Sequence, residues 1–424
     1  MIHSELAWRG LIQQTTDDAF LPDWLASGSR TLYAGFDPTA ESLHVGSLIP
    51  LLTLRRFQRA GHRPIAVVGG ATGMIGDPSG KSEERNLLDR DALARNVAGL
   101  ERQMRRFLDF DAGSQSAQLV NNHDWMSRFS YLEFLRDVGK HVPVNVMMAK
   151  ESIKNRIASE AGISYTEFSY MLLQAYDFVH LREQLGCELQ IGGSDQWGNI
   201  TAGIDLARRL RGVQLYGLTL PLLTKSDGSK MGKTERGTIW LAADRTSPYQ
   251  FYQYWINVED DIVGKCLRYL TELEREEIES LDDSRASEPG RRDSQRRLAE
   301  ALTELVHGAE GLASARRATE IFFGAEIADL SDGQLGQIFA DVPSKELPRA
   351  RLTGEGLSIA DALVEAGLSK SKGEARRAVQ QGGAYVNNRR VGEVERQLGP
   401  ADLASESVLV LRSGKKNYAL LRFV

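Results

Sequence analysis

Two stretches of the sequence gather side chains that could work on phosphate. In TLYAGFDPTAESLHVGSLIPLL (31–52), a β-prone run interrupted by Gly35 passes Asp37, Pro38 and Thr39. It then takes up a helical apolar spacing at Val45, Leu48 and Leu52. His44 and Gly46 fall in the first helical turn, where unpaired backbone N–H groups and the positive helix end favour an anion. At Gly35 the missing side chain would let a ligand lie against the backbone. The second stretch, TKSDGSKMGKTERG (224–237), places Lys230 and Lys233 among glycine and small polar residues, which is mobile-loop material. The first is neither a dinucleotide fingerprint nor a Walker loop, because its glycines lack G-x-G-x-x-G spacing and no Gly-Lys-Thr/Ser closes it. On residue types alone two pairs of readings stay open. The first stretch is a nucleotide site or a capped helix with an ordinary surface histidine, and the second is a phosphate-binding loop or a charged surface loop.

A second kind of chemistry is recognition of a small polar molecule. Tyr170, Gln174 and Asp177 are spaced four and three apart in YMLLQAYDFV, so a helix points them from a common face. Asp177 lies amid apolar residues, where a carboxylate must be hydrogen-bonded. An internal structural tie remains an alternative for it. Four glycines precede Asp77 in GGATGMIGDPSGKSEER, and Gly193, Asp195 and Gln196 form another polar turn after a strand candidate. No Ser/His/Asp-like nucleophilic set is present.

These groups need strand ends to hold them. Buried runs at 31–36 and 65–68 flank a helix that Gly61 stops, giving strand, helix, strand within about forty residues, the rhythm of a parallel sheet. Further strands are expected at 118–121, 189–192 and 218–223, with helices at 6–12, 88–108, 166–185 and 197–210. Residues 272–323 read as helical with a polar interruption at 283–292. The aromatics at 249–255 read as core and subdomain packing.

The segment 341–356 lacks a packing pattern and reads as a linker. Beyond it, 357–424 combines two helices, an Asn387-Asn388 turn and two strands. Its Lys370, Lys372, Arg376, Arg377, Arg389, Arg390, Lys415 and Lys416 could position phosphates, or could form a generic solvated face.

Composition narrows the class. At 424 residues and 42% apolar content, two or three domains with real cores are expected. A net charge of −5 argues against indiscriminate polyanion binding. Cys187 and Cys266 are far apart, without zinc-ligand spacing, so no disulfide framework or structural metal is expected. With no signal-type h-region and no run approaching 18 apolar residues, a cytoplasmic enzyme without membrane contact is expected.

Five motifs in order carry a resemblance. His44-Val45-Gly46-Ser47 resembles the HIGH signature of class I aminoacyl-tRNA synthetases, and Lys230-Met231-Gly232-Lys233-Thr234 resembles their KMSKS loop. Together with GDPSGKSEER (76–85), YMLLQAYDF (170–178) and QIGGSDQWGNI (190–200), they resemble the bacterial tyrosyl-tRNA synthetase family over about the whole chain. One departure is Ser47, where that family often has histidine.

The resemblance implies an α/β fold: a Rossmann-like parallel-sheet catalytic domain over 1–222, then the KMSKS-like loop and a helical anticodon-side domain over 223–340. A linker over 341–356 and a small α+β S4-like RNA-binding domain over 357–424 would follow. It implies activation of L-tyrosine by ATP to tyrosyl-adenylate and pyrophosphate, then transfer to the 3′-terminal adenosine of tRNA(Tyr). Thr39, His44, Gly46, Ser47, Lys230, Lys233 and Thr234 would serve the reacting phosphates, and Gly35, Asp37, Gly193 and Asp195 the adenosine and ribose. Asp77, Tyr170, Gln174 and Gln196 would surround the tyrosine ammonium and carboxylate, with Tyr33 and Asp177 reaching the phenolic hydroxyl. Mg²⁺ would accompany ATP with phosphate and water ligands, and the enzyme would be a homodimer. Two rivals stand against this. An adenylyltransferase of the same superfamily would keep the HIGH-like element but use another acceptor. A non-catalytic RNA-binding protein would retain the C-terminal tail and lose the site, whereas both signature segments are filled here.

Overall fold

The structure is a computed structural model that describes residues 1–79, 89–158, 162–234, 237–328, 330–340, 342–354 and 356–424. It comprises two compact units, one of Met1–Ala242 with Asn257–Leu298 and one of Ala243–Ile256 with Ala299–Val424.

In the first unit, β1 (Gln14–Thr15), β2 (Thr31–Phe36), β3 (Arg63–Val68), β4 (Gln118–Asn121), β5 (Leu189–Gly193) and β6 (Tyr216–Leu220) form one sheet in the order β1-β6-β5-β2-β3-β4. All pairs are parallel except β1 with β6. Strands β2, β3 and β4 step outward one way, and the chain then returns to lay β5 on the other side of β2. Helices therefore leave β2 and β5 in opposite directions. A parallel sheet opens a crevice at such a switch point, beyond the carboxyl ends of its strands. The expected strands at 31–36, 65–68, 118–121 and 189–192 all fall in this sheet, and the expected 218–223 strand starts and ends earlier, at Tyr216–Leu220.

β2 is buried at every position except Gly35, so its apolar alternation is replaced by a doubly covered strand. Tyr33, Ile65 and Val67 share a core with Phe178 and Val179 of the helix Tyr165–Leu185. That helix starts where the Ser164 side chain accepts from Glu167 N–H and stops at Gly186, whose φ of 67° favours glycine. The first helix, expected around 6–12, covers Ile2–Arg9, because Gly10 terminates it in the left-handed region.

The boundary expected at 222 does not divide the units. The helix Asp260–Leu270 packs on the helix Leu48–Arg59. Arg55 pairs with Glu272 at 2.7 Å, and Arg9 donates to the Leu273 carbonyl at 2.9 Å. Residues 257–298 thus join the sheet-bearing unit.

The second unit is organised on β9 (Ser344–Leu347), β11 (Ala384–Val386), β12 (Arg389–Arg390), β14 (Val408–Ser413) and β15 (Asn417–Phe423), in the order β12-β11-β14-β15-β9. Two smaller pairs complete the strands among the described residues. They are β7 (Lys233–Thr234) with β8 (Gly237–Thr238) in the first unit, and β10 (Leu357–Ser358) with β13 (Gln397–Leu398) in the second. Strand periodicity splits the sheet faces cleanly. Leu409, Leu411, Ala419 and Leu421 face the helices Ile359–Glu365 and Lys372–Gln380, while Val408, Val410, Tyr418 and Leu420 pack with Ile321, Leu335 and Phe339.

Part of the expected linker is therefore a strand: Ser344–Leu347 pairs in parallel with β15. Three exposed positions followed by buried Leu347 gave no apolar alternation, and only the β15 edge defines the pairing. Residues 341 and 355 of that segment lie outside the described residues. Of the expected interruption at 283–292, residues 283–287 still belong to the helix Arg275–Ser287, and only 288–292 form a turn before the helical run Asp293–Phe322, itself broken at Gly308. Phe251, Tyr252 and Trp255 are buried, as a packing role for that aromatic segment requires.

Candidate active site

The crevice between β2 and β5 holds a cavity of about 250 Å³, adjoined by a hollow of about 310 Å³. Tyr33, Gly35, Asp37, Thr39, His44, Gly46, Ser47, Asp77, Tyr170, Gln174, Asp177, Gly193 and Gln196 line the first, and Asp195 and Lys230 line the second. Residues far apart in sequence meet here because β2, β3 and β5 all end at one edge of the sheet. A Cβ at Gly35 would point into open space, so the backbone there faces the cavity bare.

The inner end of the cavity is built around two phenols, a carboxylate and a chain of amides and hydroxyls. Tyr33 and Gln190 are direct partners across β2 and β5 and so project on one face. Both are almost fully buried, and among the described residues the Tyr33 hydroxyl, the Gln190 Oε1 and the Gln174 Oε1 have no hydrogen-bond partner. Each unmade buried bond costs about 1–3 kcal/mol, so three in one cavity point to a polar ligand that completes them.

Asp177 accepts from Trp125 Nε1 at 2.8 Å and from Asn122 Nδ2 at 3.0 Å. Burial pushes its carboxyl up to about 7. The bonds from Asn122 and Trp125 oppose that shift, and the charge of Asp37 adds to it. The Tyr33 phenol is raised by burial first and then by the Asp177 charge, so it remains a neutral donor.

Asn122 also donates to Thr72 Oγ1 at 3.0 Å, and Thr72 donates to Asp37 Oδ1 at 2.9 Å. The other Asp37 oxygen accepts from the Tyr170 hydroxyl at 3.1 Å. Asp37, expected beside the nucleotide, is thus bonded directly to Tyr170, expected beside the amino acid, and stands between the two regions. Gly69 makes room for this: a Cβ there would lie 2.3 Å from Asp37 Oδ1.

Across the cavity, Gln196 Nε2 donates to Asp77 Oδ2 at 2.6 Å, and Gln174 Nε2 to Gln196 Oε1 at 3.3 Å. Asn199 adds bonds to Ser79 Oγ and Gln196 Oε1 at 3.3 and 3.1 Å. Residues 80–85 of the GDPSGKSEER motif lie outside the described residues.

At the mouth, His44 caps the turn Val45–Ser47, its Nδ1 accepting from Gly46 N–H at 3.0 Å. An accepting Nδ1 puts the proton of the neutral ring on Nε2. The lysine segment, expected as a loose loop, is a laced hairpin. Met231 N–H donates to Leu223 O at 2.8 Å, Ile239 N–H to Gly232 O at 2.8 Å, and Val45 N–H to Ile239 O at 3.1 Å. These pairings use backbone groups, which composition does not reveal. Gly232, with φ of 87°, runs so close to Val45 that an added Cβ would sit 3.3 Å from its Cβ. Lys230 Nζ lies 3.3 Å from Asp195 Oδ2 and is half exposed at the hollow. The side chains of Lys233 and Thr234 lie outside the described residues.

Asn122, Trp125, Thr72, Gln190 and Asn199 were not among the expected site residues. Two had a signal: Gln190 is a lone amide between Leu189 and Ile191, and Asn122 opens a polar run at the end of β4. The partners that make them matter lie on other elements.

In the second unit, Lys370, Lys372, Arg376, Arg377, Arg389, Arg390, Lys415 and Lys416 are all exposed. Lys372 pairs with Asp361 at 2.7 Å, Arg376 approaches Glu395 at 3.9 Å, and Arg389 pairs with Glu326. Lys415 and Lys416 occupy the tip of the β14–β15 hairpin, turned by Gly414. Arg412, not anticipated, stacks on the Tyr385 ring at 3.8 Å in the same cross-strand row as Arg390.

The model of class I tRNA synthetases of the tryptophan and tyrosine type matches residues 26–324, and that of the tyrosine–tRNA ligase SYY-like C-terminal domain matches 334–421. A tyrosine–tRNA ligase of Rhodopirellula baltica is 62% identical over 99% of this chain and 95% of its own length. One of Geobacillus stearothermophilus is 51% identical over 99% of each. The crystal structure of a C-terminally truncated Aspergillus nidulans mitochondrial tyrosyl-tRNA synthetase superposes with a TM-score of 0.69 at 30% identity, covering 76% of this chain and 94% of that one. With two matched models spanning nearly all its length and relatives this similar from end to end, the chain belongs to the tyrosine–tRNA ligase family of class I aminoacyl-tRNA synthetases.

Proposed function

We propose that the β2–β5 crevice activates L-tyrosine with ATP and hands the tyrosyl group to tRNA(Tyr), with each side chain in the role set out below. The observation that carries the reading is the unpartnered Tyr33 hydroxyl beside buried Asp177 at the inner end of the cavity. A substrate phenol there accepts from Tyr33 and donates to Asp177, whose oxygens keep lone pairs beyond the bonds from Asn122 and Trp125.

Tyr170, Gln174, Asp77 and Gln196 hold the ammonium and carboxylate, leaving a carboxylate oxygen aimed toward the mouth. ATP lies along Gly35, Asp37, Gly193 and Asp195, with its phosphates at His44, Gly46, Ser47 and Thr39. The carboxylate oxygen attacks the α-phosphorus and the bond to pyrophosphate breaks. No proton need move in this step, so the gain comes from positioning and from charge stabilisation. Negative charge builds on the leaving group, and the His44 Nε2–H, Lys230, Lys233 and Thr234 bind it more strongly as it builds. In the second step a ribose hydroxyl of the terminal adenosine attacks the adenylate carbonyl and AMP leaves.

Magnesium would arrive with ATP on phosphate and water ligands. Among the described residues no three His, Cys, Asp or Glu side chains gather as a metal site. Residues 357–424 carry the basic surface that grips the RNA phosphates, separate in function from the activating crevice.

Replacing Lys230 with alanine should slow tyrosyl-adenylate formation at least tenfold, about 1.4 kcal/mol, with little change in tyrosine affinity. Single-turnover activation at the wild-type rate would remove the lysine from the mechanism. Pyrophosphate exchange driven by tyrosine, and by no phosphorylated acceptor, separates this reading from an adenylyltransferase.

The family reading also includes a homodimer and a cytoplasmic location. No helix among the described residues is long and apolar enough to cross a membrane. Tyr131, Leu132, Val144 and Tyr165 are exposed by 60% or more, an apolar surface for which a second copy is the proposed cover. Leu132→Asp should shift the protein from dimer to monomer in sedimentation equilibrium, and an unchanged mass would place any interface elsewhere.

A further inference from the structure

His180 lies three residues after Asp177 on the helix Tyr165–Leu185, and the two side chains embrace Trp125 from different directions. The imidazole stacks on the indole with ring centroids 4.4 Å apart and an interplanar angle of 18°. The indole N–H is the 2.8 Å donor to Asp177 Oδ1. Trp125 is nearly fully buried, whereas His180 is only part-buried and closes the indole face toward solvent. No hydrogen bond or ion pair of the His180 side chain is found among the described residues, so its ring acts on its surroundings by stacking.

A single hydrogen bond fixes the indole nitrogen and the core packs against the buried ring; the parallel His180 ring holds a further face of it, because tilting the indole would break the stack. Burial favours the neutral form of His180 by holding its pKa below the ordinary value; Glu183 on its own helix opposes that shift, and Arg128 from the segment after the helix His123–Met126 adds to it by less. Tyr176, also on its own helix, flanks it at 6.4 Å.

We propose that His180 is a positioning residue for recognition of the substrate phenol: its stack on Trp125 keeps the indole N–H on Asp177 and the carboxylate aimed at the hydroxyl. The proposal rests on the tyrosine reading of the cavity. Without the stack the donor bond to Asp177 loosens, the ionised carboxylate loses support, and its titration moves to higher pH.

The test measures tyrosine- and phenylalanine-dependent pyrophosphate exchange from pH 6 to 9 for the full-length protein and three variants, His180→Ala, His180→Leu and His180→Phe. The alanine and leucine variants should raise KM for tyrosine about three- to tenfold, the range of an aromatic pair. They should also move the acid limb of kcat/KM for tyrosine to higher pH, leaving kcat, KM for ATP and phenylalanine exchange within about twofold. Leucine fills the space without a π face, so it answers for an alanine variant that folds poorly. Phenylalanine restores the planar partner and should return both readouts to wild type. The idea is overturned if His180→Leu keeps the wild-type KM and acid limb, if tyrosine and ATP binding fall together, or if phenylalanine does not rescue. A wild-type protein with no preference for tyrosine would instead defeat the reading of the cavity itself.

Discussion

Asp177→Ala is expected to cut the preference for tyrosine over phenylalanine by about one to two orders of magnitude while leaving a folded protein that still exchanges pyrophosphate weakly. The ionised carboxylate is the charged acceptor for the substrate hydroxyl, and a hydrogen bond to a charged group is worth about 1.5–3 kcal/mol. Its loss should lower kcat/KM for tyrosine by roughly 10- to 150-fold, since 1.4 kcal/mol is about tenfold. Phenylalanine has no hydroxyl to lose, so its kcat/KM should hold or rise. Tyr33→Phe should cost less, because it removes a neutral partner.

A pH profile gives the same residue a second signature. With its pKa raised to about 7, Asp177 loses its proton near neutrality, so kcat/KM for tyrosine should climb as pH rises through 7 and then level. Phenylalanine exchange should show no such climb. The sign for stability is opposite. A carboxyl whose folded pKa exceeds its unfolded value binds more protons when folded, so its contribution falls as pH rises from the ordinary carboxylate range toward 7. Circular dichroism should accompany the exchange assays, because Asn122 and Trp125 would lose their shared acceptor in the alanine variant. If folded Asp177→Ala keeps the wild-type preference and a flat difference between substrates across pH, the carboxylate is an internal tie and the phenol is read elsewhere.

Charge reversal at Arg390, Lys415 and Lys416 is the second large effect. The triple glutamate variant should charge tRNA at least about 100-fold less efficiently near physiological salt, because every phosphate left without its cation keeps its counterions and their release no longer favours binding. The slope of log affinity against log salt should flatten by about 0.7–0.9 for each phosphate no longer neutralised. Tyrosine-dependent exchange should remain at the wild-type level. Truncation before Leu357 is a poorer experiment. It would leave Ser344–Leu347 without the β15 edge and uncover the side of Ile321, Leu335 and Phe339 that packs on Val408, Val410 and Leu420. Equal charging by the triple variant and the wild type would remove the RNA role from this surface.

The sequence by itself determined the strands at 31–36, 118–121 and 189–192, the helix carrying Tyr170, Gln174 and Asp177, and both phosphate-side signatures. These are local patterns: a buried apolar run, a 3.6-residue spacing and a glycine-rich polar turn are each written in adjacent residues. It also located much of the polar lining of the cavity, Asp37, His44, Asp77, Tyr170, Gln174 and Asp177 among it, partly from polar residues at legible strand ends and partly through the resemblance carried by the five motifs. Only the tertiary structure decided which of those ends meet. The order β6-β5-β2-β3-β4 puts Tyr33 beside Gln190, and no periodicity within either strand encodes that neighbour. The same holds for the chain from Asp177 through Asn122 and Thr72 to Asp37 and Tyr170, whose members come from the carboxyl ends of β2, β3 and β4 and from one long helix. A buried carboxylate is recognisable in a sequence as a demand for partners, but the partners are chosen by packing. For the same reason Ser344–Leu347, polar and short, reads as a linker until the β15 edge supplies its hydrogen bonds. The lysine segment likewise reads as loose until the backbone of Leu43–Val45 binds its return strand.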